Sequence, residues 1–236
     1  MTTPVLEWDR YELVLWDIDG TLLDTRGAGA RAMRRAADTL FEGRVSFEGV
    51  SFAGRLDPLI YADAARAGGL PDDEARRSLP TFRDAYLVEL ETELDTLDGQ
   101  ALPLPGVDGA LRTLDGLDGV TQGVLTGNFA VSGAAKLRAY GIDDGRFDVR
   151  AYSDVCETVG SRPDLCGWAL RDFARHAGRD ADAERVLVIG DTPHDIDCAH
   201  AHGCACLAVA TGRSSAEELE NAGADLVVDS LTGLVA

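Results

Sequence analysis

Two aspartates one residue apart, Asp17 and Asp19, close the apolar run Leu13-Val14-Leu15-Trp16 and are followed at once by Gly20-Thr21. A short apolar run ended by a turn signal reads as a fully buried strand of a parallel sheet. Carboxylates at the C-terminal end of such a strand sit where open α/β sheets hold their ligands. Two of them there are costly to desolvate unless something cationic binds. Asp17 and Asp19 are therefore candidates for a metal and catalysis site. The same residues also make an ordinary polar turn, with Asp-Gly as its chemistry.

Three further stretches carry polar chemistry, two of them at strand ends and one at a helix start. Val124-Leu125 runs into Thr126-Gly127-Asn128, and a helix is predicted from about Phe129 to Tyr140. A hydroxyl, backbone N–H groups and a helix N-terminus make an anion site, although an N-cap with a tight turn uses the same residue types. Val186-Leu187-Val188-Ile189 runs into Gly190-Asp191-Thr192-Pro193-His194-Asp195. Asp191, on the loop, is the stronger metal candidate. Asp195 falls in the first turn of a helix starting near Pro193, where a carboxylate is favoured by the dipole in any case. Arg162 precedes Pro163-Asp164-Leu165 at the start of a helix predicted over 163–176.

These four motifs, in this order, resemble those of the haloacid dehalogenase-like hydrolase superfamily, in particular its phosphatase branch with a helical cap, similar to phosphoglycolate phosphatases. The third motif departs from the family pattern, with Arg162 where Lys is usual. The resemblance implies that Asp17 is the nucleophile and forms an aspartyl-phosphate, and that Asp19 is the general acid and then the general base. It implies Mg2+ as cofactor, held by a carboxylate oxygen of Asp17, the backbone carbonyl of Asp19 and a carboxylate of Asp191, with Asp195 orienting the metal's surroundings. Hard oxygen ligands agree with Mg2+. Thr126, Gly127, Asn128 and Arg162 would hold the phosphoryl oxygens, Arg162 by a bidentate fork that Lys lacks. Asp19 favours phosphate over halide chemistry, since a leaving halide needs no proton.

Elements must bring these residues together, and the chain supplies them in β-then-α alternation outside one interval. Between Gly27 and Leu97 no β run occurs. Helices are predicted over 28–40, from Asp57 as N-cap with Pro58 at the first helical position to Gly68-Gly69, and over 72–97 with a break near Pro80. The expected fold is α/β: a Rossmann-like, doubly wound, mostly parallel sheet (1–24 and 103–236) with a helical cap inserted over 25–102. Leu102 to Gly106 is the return linker. Arg55, on a polar turn of the insertion, is a candidate substrate contact and equally an ordinary exposed turn arginine. Lys136, the only lysine, lies about two helical turns beyond Thr126, roughly 10 Å along the axis. That distance leaves Arg162 as the expected cation.

The 236 residues carry a net charge of −19, with a pI of about 4.4. Such a surface repels nucleic acid and anionic membranes and excludes both as partners. It also repels phosphate esters, so a phosphate site must create its own local positive potential. The expected partner is a small phosphorylated metabolite, met by a monomer or homodimer. No run has the length of a membrane span and the N-terminus lacks a signal-peptide pattern. Five cysteines without secretory context are expected as reduced thiols of a cytoplasmic protein. Cys204 and Cys206 alternate and are expected to be buried packing. His194, His200 and His202 are left outside the mechanism. The favoured function is a Mg2+-dependent phosphatase for a small organic phosphate. The alternatives are a phosphomutase on the same scaffold and a catalytically silent binding or regulatory protein.

Overall fold

The structure, a computed structural model, describes residues 6–97, 102–155 and 160–234. Cys156 and the stretch 98–101 of the expected cap lie outside the described residues.

Six strands form one parallel sheet in the order β3-β2-β1-β4-β5-β6. They are β1 (Leu13–Trp16), β2 (Thr121–Leu125), β3 (Val149–Ala151), β4 (Val186–Gly190), β5 (Ala205–Val209) and β6 (Leu226–Val228). β1 lies between β2 and β4, and all four of its side chains are buried, as an apolar run covered on both faces requires. Chain order reverses on either side of β1, so its C-terminal end opens at the switch point where such sheets bind ligands. The ends of β2 and β4 flank that point. The motifs following the three strands therefore converge although they are far apart in sequence.

The insertion between β1 and β2 carries α1 (Ala28–Phe41), α2 (Asp57–Gly68) and α3 (Asp72–Asp95), and forms the cap. Its entry and exit lie side by side, with the Leu104 N–H donating to the Leu22 carbonyl at 3.0 Å. An aromatic ladder runs through it. Tyr61 stacks on Phe82 with centroids 4.2 Å apart, Phe82 on Tyr86 at 6.3 Å, and Tyr86 meets Phe129 of the core at 6.3 Å. Buried apolar residues of the cap thus continue into those of the sheet's face. α4 (Val107–Asp115), α5 (Ala130–Ala139), α6 (Arg162–Ala177), α7 (Pro193–His200) and α8 (Ala216–Asn221) complete the core.

Two local expectations are corrected. α3 runs through Pro80 without a break. Pro80 is exposed, so the carbonyl it releases one turn earlier faces solvent, while Ala75 and Phe82 anchor the helix on either side. α2 begins at Asp57 with Leu56 as its N-cap; the Asp57 carboxylate is engaged elsewhere, as described below. Cys166, Cys198, Cys204 and Cys206 are buried free thiols, with Cys204 one residue before β5. Among the described residues no helix is long and apolar enough to cross a membrane.

Candidate active site

Asp17 follows β1 directly and its N–H donates to the Ile189 carbonyl of β4 at 2.9 Å. That bond sets it beside Asp191, which follows β4. Asp195 enters from the first turn of α7. One oxygen from each of the three lies within 4.8 Å of the others, and all three residues are buried. Gly20, at φ +87°, and Gly212 make room for this: a Cβ at either position would overlap the Asp191 carboxylate. Gly20 thus answers both a backbone need and a space need.

Arg162, the first residue of α6, is buried among these carboxylates. Its Nη2 lies 3.1 Å from Asp17 Oδ1 and also pairs with Asp195 Oδ1. Both contacts come from one nitrogen, and Nε has no partner among the described residues. The guanidinium thus bridges two carboxylates through a single nitrogen. Asp195 also accepts from the Thr192 N–H (3.1 Å) and hydroxyl (2.7 Å) through Oδ2, completing a capping box at α7. Both Asp195 oxygens are thus engaged. Asp191 Oδ1, by contrast, is buried with no hydrogen-bond partner among the described residues.

Three buried carboxylates face one guanidinium, and the proton affinities of Asp17 and Asp191 reflect the imbalance. Burial pushes Asp17 up to about 6, against the pull of Arg162. Burial, then the charges of Asp17 and Asp195, pushes Asp191 up to about 9. Arg162 is raised further above its usual range: burial opposes its charge, but Asp195 and Asp17 outweigh it. A divalent cation suits this site. The donors are all hard oxygens, one of them is orphaned, and the missing charge is positive.

Asp19 belongs to a second cluster. Its Oδ2 accepts from Lys136 Nζ at 2.6 Å and from Asn128 Nδ2 at 2.8 Å. Lys136 also donates to Asn128 Oδ1 at 2.5 Å, and Asn128 Nδ2 donates to Thr126 Oγ1 at 2.8 Å. The expectation that Lys136 is out of reach is corrected. α5 begins only at Ala130, and a helical side chain leans back toward its N-terminus, so the lysine's stem recovers the axial distance.

Gly127 carries the loop past the cap. A Cβ there would overlap the Arg55 carbonyl oxygen, and the Gly127 carbonyl accepts the Asp57 N–H at 2.7 Å. The Arg55 guanidinium pairs with Asp63 at 2.6 Å. A cavity of about 390 Å³ lies between cap and core. Asp17, Asp19, Thr126, Arg162 and Asp191 line its floor, with Arg55, Phe52, Met33 and Tyr86 above. Thus the sequence-derived residues Asp17, Arg162, Asp191 and Asp195 form one cluster, Asp19, Thr126 and Asn128 a second, and Gly127 and Arg55 the cap contact. His200 pairs with Asp225 at 3.0 Å and His202 with the Pro163 carbonyl at 2.8 Å, so both are otherwise engaged.

Lys136, Asp57 and Gly212 were not foreseen as parts of the site. A lone lysine in an arginine-only background was the one available signal for Lys136. Asp57 carried a local explanation, the cap of its own helix. Nothing nearby in sequence marks Gly212.

A family model described as HAD-hydrolase-like matches residues 162–234. Over 221 residues the chain is 27% identical to the tyrosine-protein kinase PtkA of Mycobacterium tuberculosis, covering 94% of this chain and 69% of the relative. It is 29% identical over 226 residues to the probable phosphatase IndB of Dickeya dadantii, covering 94% and 91%. It is 28% identical over 204 residues to a phosphoglycolate phosphatase of Mesorhizobium japonicum, covering 85% and 83%. Among solved structures, a predicted phosphatase from Clostridium acetobutylicum superposes with a TM-score of 0.70 at 21% identity, covering 94% of both chains.

Proposed function

We propose that the chain is a haloacid dehalogenase-like hydrolase of the capped phosphatase branch, and that it hydrolyses a small organic phosphate monoester with Mg2+, through an aspartyl-phosphate on Asp17. One observation carries the proposal: a buried carboxylate, Asp17, paired with a cation and clustered with an orphaned Asp191 oxygen, shares a cavity floor with the partly exposed Asp19. A nucleophile and a separate proton carrier are what phosphoryl transfer by covalent catalysis needs.

In the first step a carboxylate oxygen of Asp17 attacks phosphorus and the bond from phosphorus to the ester oxygen breaks. Asp19 protonates the departing alkoxide. In the second step water attacks phosphorus and gives its proton to Asp19. The bond between Asp17 and phosphorus breaks, and inorganic phosphate and the free carboxylate are released. Arg162 and the Thr126–Asn128 loop offer donors to the phosphoryl oxygens, where transition-state charge is spread. Proton transfer by Asp19 would contribute ~10²–10⁴-fold. Asp17, Asp191 and the Asp19 carbonyl would hold Mg2+, which would supply positive charge against the substrate phosphate and the carboxylates. The cap helices α1–α3 would exclude bulk water. Phosphoglycolate-like and sugar-phosphate esters are the substrate class, and Arg55 is the cap residue nearest to a role in choosing among them.

The test is hydrolysis of p-nitrophenyl phosphate with and without Mg2+, by the wild type and by Asp17→Asn. Metal-dependent release of phosphate, lost in the variant, is the expected result. Turnover that survives in Asp17→Asn overturns the covalent mechanism.

A further inference from the structure

Lys136 is a buried ammonium that the mechanism above leaves without a task. Only 4% of the residue is exposed, on the inner face of α5. Burial works against its charge, yet Asp19 in the first place, with Tyr86 and Asp57 beyond it, raises its proton affinity above the usual range. A buried ion pair is a poor source of stability, because an apolar side chain of similar volume commonly does as well or better. The ammonium at this position therefore calls for a purpose other than holding the fold.

Its bonds indicate the purpose. Lys136, Asn128 and Asp19 form a closed triangle: Nζ to Asp19 Oδ2 at 2.6 Å, Nζ to Asn128 Oδ1 at 2.5 Å, and Asn128 Nδ2 to the same Asp19 Oδ2 at 2.8 Å. Asn128 is itself held by Thr126 Oγ1 at 2.8 Å. Both donors grip one oxygen of Asp19, whose side chain is 40% exposed on the cavity side. Gly29 keeps the space clear: its Cβ, if present, would stand 3.3 Å from the Tyr86 hydroxyl and 3.5 Å from Lys136 Nζ.

We propose that Lys136 is the positioning residue for proton transfer: with Asn128 it pins Asp19 Oδ2 and so presents Oδ1 to the ester oxygen of the substrate. The proposal rests on the phosphatase reading above and deepens it. It divides the positive charge of the site between two residues. Arg162 serves the nucleophile Asp17, and Lys136 serves the acid/base Asp19. Without Lys136 the carboxylate keeps a single side-chain donor and can turn about its bond, which degrades a transfer that depends on heavy-atom placement.

Leaving groups that differ in their need for a proton test this. In kcat/KM only the first chemical step counts. p-Nitrophenolate leaves unaided, whereas phenolate from phenyl phosphate, of nearly the same shape, gains from protonation. Lys136→Met and Lys136→Gln, each checked by thermal unfolding, should lose ~10–10²-fold in kcat/KM on phenyl phosphate, within the range that general-acid catalysis spans. On p-nitrophenyl phosphate they should lose about threefold at most, because that leaving group draws little on general-acid catalysis. In an Asp19→Asn background Lys136→Met should cost nothing further on either ester. Binding of beryllofluoride with Mg2+, followed by calorimetry, should be unchanged, since Lys136 acts through Asp19 and not on the phosphoryl position. Equal losses on both esters, no loss on either, or weakened beryllofluoride binding would overturn the role of Lys136. A wild type that neither turns over these esters nor binds beryllofluoride would instead sink the phosphatase reading, and the lysine's role with it.

Discussion

The carboxylate of Asp57, at the start of α2 in the cap, accepts the backbone N–H of Phe129 at the entrance to α5 in the core, at 2.9 Å. Ser132 Oγ lies 3.4 Å from the same oxygen, and the Asp57 N–H is bonded to the Gly127 carbonyl. One cap residue thus satisfies orphan groups at both ends of the turn that follows Thr126, and it caps a helix other than its own.

Asp57 pays for this place in proton affinity. Burial pushes its carboxyl up to about 7 from 3.8, against the pull of Lys136 and the Phe129 N–H. Below about pH 4 both native and unfolded chains hold the proton, and nothing is lost. Between about pH 4 and 7 the unfolded chain ionises first, so native stability falls as pH rises, and above that the loss is constant. Asp57→Asn keeps an oxygen for Phe129 and cannot ionise. Its stability relative to the wild type should therefore rise with pH, at ~1.4 kcal/mol per pH unit across that window, to a ceiling of about 4 kcal/mol. Urea denaturation of both proteins at pH 4, 5.5 and 7.5 measures the trend. A difference that does not vary with pH refutes it.

Asp191 is expected to be the carboxylate on which metal binding turns. In the metal-free protein its charge is opposed by burial first and then by Asp17 and Asp195, and its Oδ1 has no partner among the described residues. Asp191→Asn should raise the melting temperature in EDTA by ~2–4 °C, as relief of about 1 kcal/mol would. The same variant should lose the further rise that Mg2+ gives the wild type, about 2.7 kcal/mol at a hundredfold excess over Kd. An equal Mg2+ shift in both proteins would remove Asp191 from the ligand set.

Arg162 meets Asp17 and Asp195 through one nitrogen, so its charge counts for more than its forked shape. Arg162→Met leaves two buried carboxylates without their counter-ion and should cost ~3–5 kcal/mol in stability. Arg162→Lys retains a positive donor and should keep most of the stability and a measurable share of kcat/KM. Denaturant midpoints and p-nitrophenyl phosphate kinetics separate the two. Equal damage from both variants would show that the guanidinium's shape is essential.

Gly127 tests the seating of the cap. Gly127→Ala places a methyl group against the Arg55 carbonyl, where backbone has to move. The expected cost is ~1–3 kcal/mol in stability, together with a fall in kcat/KM as the cap is lifted from the cavity. An unchanged kcat/KM would mean that the contact has no part in catalysis.

The strand ends were legible because their signals are local. β1 and β4 are short apolar runs closed by Asp-Ile-Asp-Gly and Gly-Asp, and neighbouring residues suffice to read them. The helix starts at Ala130 and Pro193 were legible for the same reason, being set by turn and capping residues a few positions away. Asp57 misled because its local explanation was sufficient, while its real partner, Phe129, is 72 residues away. Gly212 bore no signal, since its meaning lies in how closely Asp191 approaches it.

By itself, then, the sequence determined the alternation of strands and helices, the helical insertion after β1, and the carboxylates and hydroxyls gathered at one edge of a parallel sheet. Apolar periodicity, turn chemistry and strand order dictate these over short spans. Only the tertiary structure decided which cation meets which carboxylate. Lys136 reaches Asp19 across 117 residues and Arg162 reaches Asp195 across 33. The pairing depends on where α5 and α6 pack against the sheet and on how far a side chain leans back along its helix, and short-range sequence pattern encodes neither.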